Sequence, residues 1–370
     1  MKVLHCIPGM GGGGAERQLA YLAGPLISLG WEVHAALVAG GPNLARLQAS
    51  GAHIHRLRSV TSYDPRLAWQ LARIVRRVKP DVVQVWFVQM EVIAGAVSTL
   101  FGIPWILSER SSILAYPPTW KNSLRVAVAR RADAIVSNSS GGDDYWKERA
   151  GSGVLRFIIP NAVPLEEIDR ARAHVPSGLA VRTDQAVVLS IGRFGPEKNI
   201  DRLFDALRDI VQRPRTVGIL CGEGPLRPGI CHRIAEAGLS DRIFAPGYII
   251  EICPLLKRAD VVVAAGVFEG RPNAVLEAMA AERPLVVSDI PAHREILDDT
   301  SALWVDSGDP RAIAAAVRSV LDDPMAAARR AAAARSRAVQ WSMAAAAAEY
   351  DRVYERVLSR RATRLDRGGS

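Results

Sequence analysis

The sequence predicts an α/β fold built from two doubly wound, Rossmann-like domains that face a central cleft. Two observations support this prediction. The chain has 370 residues, more than one ordinary hydrophobic core accommodates, and short apolar runs alternate with helical patterns in both halves. Repeated β-then-α units favour parallel sheets with helices on both faces. Because ligands bind at the carboxyl ends of such strands, we expect a binding site where the two sheets face each other.

The first half begins with a buried strand at Val3–Ile7, a glycine run and a helix from about Ala15 to Leu29. Apolar residues then recur at helical spacing between Leu67 and Val78, with basic residues on the opposite side. These elements belong to a predicted first domain of residues 1–165. Its later strands are predicted at 31–38, 81–86, 104–107, 134–137 and 157–159.

The second half repeats the β/α pattern after a polar segment, 169–185, which we interpret as a linker region. The second domain is predicted over residues 166–345, and residues 346–370 are predicted as a C-terminal helix, because this end of the chain is rich in Ala and Arg. The strands of the second domain are predicted at 186–191, 216–221, 243–245, 261–264 and 285–288, and its helices near 200–209, 273–281 and 311–321.

The positive charge of the chain is concentrated in its first half. Residues 1–160 contain 18 Lys and Arg against 10 Asp and Glu, whereas residues 161–370 contain 29 against 28. A basic first half indicates an anionic partner, such as a membrane face, a phosphorylated substrate or nucleic acid. A basic surface that only keeps the protein in solution explains the same numbers.

Cysteine usage and hydropathy favour a cytoplasmic protein. The four cysteines (Cys6, Cys221, Cys231 and Cys253) show neither metal-ligand spacing nor a paired framework. The apolar start of the chain is too short for a signal peptide. We find no apolar run that reaches the roughly 20 residues needed to cross a bilayer.

A glycine run follows the first strand and leads into the first helix. Gly9, Gly11 and Gly14 match the dinucleotide-binding spacing G-x-G-x-x-G. The acidic ribose partner of that motif is missing from residues 33–40. The other interpretations are a tight flexible turn, or a loop whose backbone N–H groups approach a substrate closely.

The segment Gly192–Asn199 follows a strand of the second half and precedes a helix. A diphosphate leaving group needs positive charge that is in place when its bond breaks. Arg193 can bind phosphate oxygens through its planar fork, and Lys198 can add a point charge. Ordinary loop charges paired with Glu197 or Asp201 are the alternative interpretation.

A third motif, Phe268–Ala280, places two glutamates around a helix start. Pro and Asn precede and begin the helix, so its first amides point outward and form an anion site. Glu269 lies in the loop before the helix and Glu277 lies about one turn inside it. Simple loop and helix-dipole roles remain open for these two residues. Gly224 and Pro225 form a tight turn at the same strand edge.

Taken together, these segments resemble the family-4 retaining glycosyltransferases of GT-B fold. The resemblance runs along nearly the whole chain and depends on the order of the motifs. The matching segments are Gly13–Arg17, Ile159–Asn161, Gly192–Asn199, Gly222–Pro225 and the glutamate pair Glu269 and Glu277, which seven residues separate.

The resemblance implies a role for each matching residue. In such enzymes Arg193 and Lys198 would hold the donor diphosphate, Glu269 would contact the transferred sugar near the reacting carbon, and Glu277 would bind the nucleotide ribose. The catalytic set is therefore Arg193, Lys198 and Glu269. The other implied donor-binding residues are Gly13, Gly14, Gly192, Gly224, Pro225, Gly270, Asn273, Ala274 and Glu277.

Some positions depart from the family pattern. Where many relatives carry a His that contacts the donor sugar, this chain has Ser108, Glu109 and Arg110. A Ser common before the glutamate pair is replaced by Ala265 and Gly266, and a Gly pair after Asp289 is replaced by 291–294. Contacts with an acceptor or with the donor sugar are expected from Glu16, Glu109, Arg110 and Asn161.

The expected function is transfer of a sugar from a nucleotide donor, UDP-linked hexose or N-acetylhexosamine, without a metal or other cofactor. The first domain would bind a glycan or a polyprenyl-diphosphate-linked acceptor in surface polysaccharide biosynthesis. The second domain would bind the donor, and the C-terminal helix would cross back onto the first domain. Peripheral contact with the inner face of the membrane is expected through the basic first domain, whose 120–131 helix is one candidate.

Two alternatives keep the same fold. The first is a GT-B-type sugar-nucleotide epimerase, and the second is a non-catalytic protein that binds a nucleotide sugar. The diphosphate cations and the glutamate pair argue against both. Nucleic-acid binding is not expected, because the basic half lacks a recognised module with stacking aromatic residues.

Overall fold

The computed structural model describes residues 1–61, 64–111, 116 and 118–368, with the side chains of 364–368 left aside. The chain divides into two compact units. The first unit joins Met1–Ala162 to the C-terminal segment that begins at Met343, and the second is Val163–Ser342. The predicted domain limits, 165 and 345, fall a few residues later.

The first unit contains a seven-stranded parallel sheet in the order β3-β2-β1-β4-β5-β6-β7. Its strand order reverses beside β1, as in doubly wound folds. The strands are β1 Lys2–Gly9, β2 Glu32–Ala39, β3 His53–Arg56, β4 Val82–Trp86, β5 Trp105–Glu109, β6 Ala134–Ser137 and β7 Leu155–Ile158. The helices are α1 Gly14–Ser28, α2 Leu44–Ala49, α3 Arg66–Val78, α4 Phe87–Leu100, α5 Trp120–Ala129 and α6 Ser140–Lys147.

Helices cover both faces of this sheet, and its central strands are mostly apolar on both sides. Val3 and Ile7 of β1 pack with α1, while Leu4 and Cys6 pack in the core beneath α3, α4 and α5. The alternation of side chains along a strand produces this division.

The second unit contains a six-stranded sheet in the order β10-β9-β8-β11-β12-β13, also parallel. Its order reverses between β8 and β11. The strands are β8 Ala186–Ile191, β9 Thr216–Cys221, β10 Ile243–Gly247, β11 Val261–Ala264, β12 Leu285–Ser288 and β13 Leu303–Val305. The helices are α7 Leu165–Arg170, α8 Ile200–Ile210, α9 Arg227–Glu236, α10 Ile252–Arg258, α11 Asn273–Ala280, α12 Pro291–Arg294, α13 Pro310–Asp322 and α14 Pro324–Ala338.

The Ala- and Arg-rich end of the chain forms two helices. The first, α14, ends at Ala338 in the second unit. A short 3₁₀ turn spans Val339–Trp341, Ser342 is extended, and α15 then runs over Met343–Gly368 as part of the first unit. Trp31 anchors α15, because its Nε1 donates to Asp351 Oδ1 at 2.7 Å. Tyr354 packs edge-on against the Trp31 ring, with centroids 4.9 Å apart.

The two predicted α/β domains are confirmed, but some local predictions were wrong. Residues 169–185 are no linker, since Val175, Leu179 and Val181 pack against the core of the second unit. β3 and β13 were not predicted. β3 has a single apolar residue, Ile54, among His and Arg, and β13 is three residues long, so neither gives a clear strand pattern. In the described part of the chain, no helix is long and apolar enough to cross a membrane.

Candidate functional site

Three loops of the second unit meet at the carboxyl ends of β8, β9 and β11. Phe194 N–H in the first loop donates to the Glu223 carbonyl in the second at 3.0 Å. Val267 N–H in the third donates to the Glu197 carbonyl in the first at 2.9 Å. The strand order places β8 between β9 and β11, so the first loop lies between the other two.

Two glycines allow the first two loops to approach so closely. Gly222 has φ +144° and Gly224 has φ +158°, values that side chains rarely tolerate. A Cβ atom on Gly222 would collide with the Gly192 carbonyl oxygen, and one on Gly224 with the Phe194 carbonyl oxygen. The turn at Gly224 and Pro225 therefore fixes the backbone of the loop that carries Arg193.

Lys198 and Glu269, from different loops, form an ion pair through Nζ and Oε1. Their side chains are 24% and 15% exposed, so water reaches the pair. Gly192 and Gly266 flank it: a Cβ on Gly192 would lie 3.4 Å from Lys198 Cδ, and one on Gly266 would lie 3.4 Å from Glu269 Oε1. The structure thus brings together two of the three residues predicted to be catalytic.

Arg193 is the third residue of that set, and its side chain is exposed beside Gly192. Its guanidinium has no ion-pair partner among the residues that the structure describes. Asn199 completes the loop in the left-handed conformation, with φ +54°. Its Nδ2 donates to the Ser307 carbonyl at 2.6 Å and to the Ala265 carbonyl at 3.2 Å. These bonds tie the loop that carries the cations to the segments after β13 and β11.

The glutamate-pair segment starts α11 as predicted from its Pro and Asn. Pro272 is the residue before the helix, and the amides of Asn273 and Ala274 open its first turn. Gly270 and Ala274 are partly exposed, whereas Glu277 lies inside the helix and is 2% exposed. Arg271 and Asn273 are buried as well, so only Gly270 and Ala274 bring this helix start to the surface.

Several polar residues of this region went unnoticed in the sequence. Ser288 Oγ donates to the Gly266 carbonyl at 2.6 Å, and His293 Nδ1 donates to the Ser288 carbonyl at 2.8 Å. Burial lowers the pKa of His293, so its imidazole is neutral. Arg271 pairs with Glu295 at 3.3 Å, and burial lowers its pKa to about 10. Of these residues, only His293 was marked in the sequence, because 291–294 replace the Gly pair of the family pattern.

In the first unit, the glycine run forms the turn into α1. Gly13 is the residue before the helix, with φ −73° and ψ 166°, and Gly14 begins it. The Glu16 carboxylate folds back over this turn, since a Cβ on Gly11 would lie 3.2 Å from Glu16 Oε1. Asn43 Nδ2 donates to the Gly11 carbonyl. The run is thus held by its neighbours in the described structure.

Glu109 occupies a different environment from the one expected for an acceptor contact. It is 0% exposed, and its carboxylate accepts hydrogen bonds from Arg125 Nη2 at 2.6 Å, Trp146 Nε1 at 2.9 Å and Tyr116 Oη at 2.5 Å. Because protein groups occupy both oxygens, we correct the sequence-based interpretation: Glu109 holds α5 and α6 to the end of β5.

Arg125 lies between two buried carboxylates. It is itself 0% exposed and also pairs with Glu91. Burial raises the pKa of Glu91 to about 7, against the opposing effect of Arg125. We call Glu91, Arg125 and Glu109 the buried triad. Residues 112–115, close to it in sequence, lie outside the described residues.

Arg110 and Asn161 contact each other rather than an open surface. Arg110 Nη1 donates to Asn161 Oδ1 at 3.2 Å, and its Nη2 donates to Tyr350 Oη of α15. The guanidinium also stacks over Trp86 at 4.5 Å. Asn161 is 4% exposed. In the structure these residues join the C-terminal helix to the first unit.

Family comparisons agree with this arrangement. The sequence model of the family described as glycosyl transferases group 1 matches residues 174–337, and that of the glycosyl transferase 4-like domain matches residues 13–162. Each model covers most of one sheet unit.

Individual relatives match over most of their length. The chain is 27% identical to the lipopolysaccharide core biosynthesis glycosyltransferase LpsD of Rhizobium meliloti (strain 1021), over 88% of this chain and 89% of that protein. It is 30% identical to the alpha-D-kanosaminyltransferase of Streptomyces kanamyceticus, over 70% of this chain and 72% of that protein.

Solved structures show the same fold at low identity. Anabaena HepE in complex with UDP-glucose has a TM-score of 0.81 at 20% identity, over 96% of this chain and 99% of that one. The pneumococcal O-GlcNAc transferase GtfA in complex with UDP and GlcNAc has a TM-score of 0.76 at 13% identity, over 97% and 99%.

Proposed function

The chain belongs to the glycosyl transferases group 1 family and is a glycosyltransferase that acts on nucleotide sugars, and we propose that it is a retaining enzyme with a UDP-linked hexose or N-acetylhexosamine donor. Its proposed acceptor is a glycan or a polyprenyl-diphosphate-linked sugar in surface polysaccharide biosynthesis. The observation that carries the proposal is the partly exposed Lys198–Glu269 pair at a strand edge where three loops meet.

Arg193 and Lys198 are the proposed cations for the leaving nucleoside diphosphate. The bond to the sugar breaks more easily when positive charge is already positioned beside the departing phosphate. Arg193 is exposed and can present its fork to two phosphate oxygens. Lys198 is held by Glu269 before the donor arrives, which keeps its flexible side chain near its place of action.

Glu269 would exchange partners when the donor binds. Phosphate oxygens compete for Lys198 Nζ, and the released carboxylate can accept hydrogen bonds from hydroxyl groups of the transferred sugar. The backbone N–H groups of Gly270 before α11 and of Asn273 and Ala274 in its first turn would donate to sugar and phosphate oxygens. Glu277 is proposed to bind the ribose, while Gly192 and the turn at 224–225 line the donor.

The choice of donor and acceptor is supported by relatives. HepE is described in complex with UDP-glucose and GtfA with UDP and GlcNAc, which favours UDP as the nucleotide. LpsD and LpsE of Rhizobium meliloti are described as lipopolysaccharide core biosynthesis glycosyltransferases, which favours a surface glycan as the acceptor.

A thermal-shift comparison of UDP-, GDP- and ADP-glucose tests the donor site. Binding to the native state raises the melting temperature by mass action, so we expect a shift with the UDP sugar. Arg193→Ala and Lys198→Ala should reduce that shift, whereas Arg208→Ala, an exposed change on α8 of the same unit, should preserve it. Equal shifts in all variants would overturn the assignment of Arg193 and Lys198 to the diphosphate. A shift with GDP-glucose or ADP-glucose alone would overturn the assignment of UDP as the donor nucleotide.

The retaining, metal-free mechanism has its own test. Product anomeric configuration, read by NMR during the first turnovers, should match that of the donor. Activity should survive EDTA. Complete loss with EDTA, restored by a divalent cation, would contradict the metal-free proposal while leaving the donor site intact.

A further inference from the structure

Four side chains at the β3 edge of the first sheet form a continuous line of hydrogen bonds. Glu32 and His34 belong to β2, His55 to β3 and Arg77 to α3. His34 Nε2 lies 2.9 Å from Glu32 Oε1, and His34 Nδ1 lies 3.0 Å from His55 Nε2. On its other side, His55 Nδ1 lies 3.0 Å from Arg77 Nη2. We call these four residues the histidine network, and it joins the edge strand to both a strand and a helix.

The two ends of the histidine network fix the protonation of both rings. A carboxylate only accepts hydrogen bonds, and a guanidinium only donates them. His34 Nε2 therefore donates to Glu32, and His55 Nδ1 accepts from Arg77. A neutral imidazole has one donor and one acceptor nitrogen, so His55 Nε2 donates to His34 Nδ1. Each ring thus carries its single proton on Nε2.

A second proton on either ring has no place in this pattern. On His34 Nδ1 it would face the N–H of His55, and on His55 Nδ1 it would face the N–H groups of Arg77. Two donors would then oppose each other, and a hydrogen bond would be lost. The histidine network is therefore complete only while both rings are neutral.

The surroundings of the two rings also favour the neutral form. His34 is 6% exposed, and desolvation lowers its pKa. Desolvation is also the largest cause that lowers the pKa of His55, to about 4. Beyond the two rings themselves, the charged or titratable groups that act on them come from four elements and are Lys2 of β1, Glu32 of β2, His53 of β3 and Arg77 of α3. Of these groups, Glu32 alone favours a charged ring.

The edge that the histidine network closes lies beside the loop that supports the glycine run. β3 pairs with β2 along its whole length, and a Cβ on Gly40 would lie 3.6 Å from the guanidinium of Arg56, the last residue of β3. In the same loop, Asn43 N–H donates to the Met10 carbonyl at 3.1 Å. Gly41 packs so closely that a Cβ there would lie 2.2 Å from that carbonyl oxygen. The edge strand, this loop and the glycine run are thus in contact one after another.

We propose that the histidine network is a pH switch: protonation of His34 or His55 breaks it and releases β3 from β2 and α3. Residues 40–43 then lose their support from Arg56, and the glycine run loses the contacts that hold it. The effect on activity rests on the proposed function, in which Gly13 and Gly14 lie against the substrates. The opening of β3 itself does not.

The sign of the pH dependence follows from the two rings. The pKa of each lies below its ordinary value of 6.5 in the folded protein, so the neutral rings stabilise the closed edge. This contribution is complete above about pH 6.5 and is lost as the pH falls toward about 4. One ring that takes up a proton only in the open state changes the opening equilibrium by up to about tenfold per pH unit in that window.

Long-range proton–nitrogen NMR spectra of the full chain test the hydrogen-bond pattern. At about pH 7.5, His34 and His55 should each show a protonated Nε2 and an unprotonated Nδ1. A proton on Nδ1 of either ring at this pH would overturn the proposal. The spectra require no substrate, so they do not depend on the proposed function.

Hydrogen exchange tests the opening of the edge. Corrected for the intrinsic exchange rate, opening at the amides of 53–57 should increase at least about tenfold from pH 6.5 to pH 4.5. His55→Gln keeps a donor and an acceptor but takes up no proton, and should reduce this increase at least about threefold. The matched control, His232→Gln, changes an exposed histidine of α9 in the second unit and should keep the full increase. No increase in the unaltered protein, or equal increases in all three proteins, would overturn the proposal.

Arg77→Met provides a second variant with a different expected result. It removes the donor that faces His55 Nδ1, so this ring can take up a proton without losing a hydrogen bond. The protonation midpoint of His55, followed in the same NMR spectra, should move from about pH 4 toward 6.5. An unchanged midpoint would overturn the role of Arg77 in the histidine network.

Separate readouts distinguish the pH switch from the proposed function. The rate of UDP release from UDP-glucose should fall more steeply between pH 6.5 and pH 5 in the unaltered protein than in His55→Gln. Parallel pH profiles, with the opening intact, would overturn the link to the glycine run. Failure of the donor test with an acid-dependent opening would remove the enzyme proposal alone. An opening that does not depend on pH, with an intact UDP-glucose shift, would remove the pH switch alone.

Discussion

The two units each place glutamate against a cation, in opposite environments. In the first unit the buried triad is closed to water, with Arg125 and Glu109 both 0% exposed. In the second unit Lys198 and Glu269 are 24% and 15% exposed. Arg125 also lies over Tyr116 at 4.1 Å and Trp146 at 4.8 Å, whereas the Lys198 pair is flanked by glycines.

The comparison shows what makes an ion pair exchangeable. A charge that is buried and paired with protein groups cannot leave its partner without a large desolvation penalty. A pair that water reaches can exchange its partner for a ligand at small cost. We therefore propose that the triad serves stability and that the Lys198–Glu269 pair serves binding and catalysis.

The largest expected effect is loss of activity from the exchangeable pair. Lys198→Ala removes a cation from the proposed diphosphate site and should lower kcat/KM at least about 100-fold, the range found when a preorganised electrostatic group is removed. The melting temperature should change little. The measurement is the initial rate of UDP release from the donor, with Arg208→Ala as the control. Near-normal kinetics would place Lys198 outside the donor site.

The next effect is loss of stability from the buried triad. Arg125→Met leaves two buried carboxylates without their cation and should lower the free energy of unfolding by about 3–5 kcal/mol. Hydrogen exchange over α5 and β5, together with thermal unfolding, measures it. Arg131→Met is the matched control, because Arg131 is exposed just beyond the same helix. If the two variants were equally stable, the triad would not be structural.

The pH dependence of the triad gives a smaller effect with a defined sign. The pKa of Glu91 rises from 4.5 to about 7 on folding, so its protonated form stabilises the native state. That contribution is complete below about pH 4.5 and is lost as the pH rises through about 7.

Glu91→Gln keeps a neutral side chain at every pH and removes this dependence. The stability of the unaltered protein minus that of the variant should therefore fall between pH 5 and 8, as measured by chemical denaturation. A difference that stays constant over this range would mean that Glu91 is ionised in the native state throughout.

The smallest effect is expected at an exposed pair. Arg182 and Asp184 bond at 2.9 Å with side chains 66% and 44% exposed. Arg182→Ala should leave both the melting temperature and UDP release unchanged within error, because solvent screens such pairs. A clear loss of stability here would show that exposure does not separate the pairs as we propose.

The sequence was sufficient for the fold and for the placement of Lys198 and Glu269 at the same strand edge, but their ion pair was not predicted. Apolar strands such as β8 and β11 are neighbours in a doubly wound sheet, so the loops after them had to converge. The role of Glu109 was not accessible in this way. Its partners Arg125 and Trp146 lie 16 and 37 residues further along, and only packing of α5 and α6 onto the sheet brings them together.

The packing of the segment 169–185 and the edge strand β3 could not be predicted, because few apolar residues mark them in the sequence. The polar segment 169–185 was interpreted as a linker because few of its residues are apolar, yet Leu179 and Val181 suffice to hold it on the second unit. β3 pairs with β2 at the sheet edge, and its His53 and His55 side chains stack with His34 of β2, so polar residues occupy positions where a strand pattern needs apolar ones.

The discontinuity of the first unit has a consequence for synthesis of the chain. The ribosome completes the second unit when it reaches Ser342, but the first unit lacks α15 until residues 343–368 have been made. Trp31 and Gln84 are made early, but their hydrogen-bond partners on α15, Asp351 and Tyr354 respectively, are made more than 260 residues later. The domain that begins first is therefore finished last, and a nascent chain stopped before α15 exposes an apolar surface that chaperones recognise.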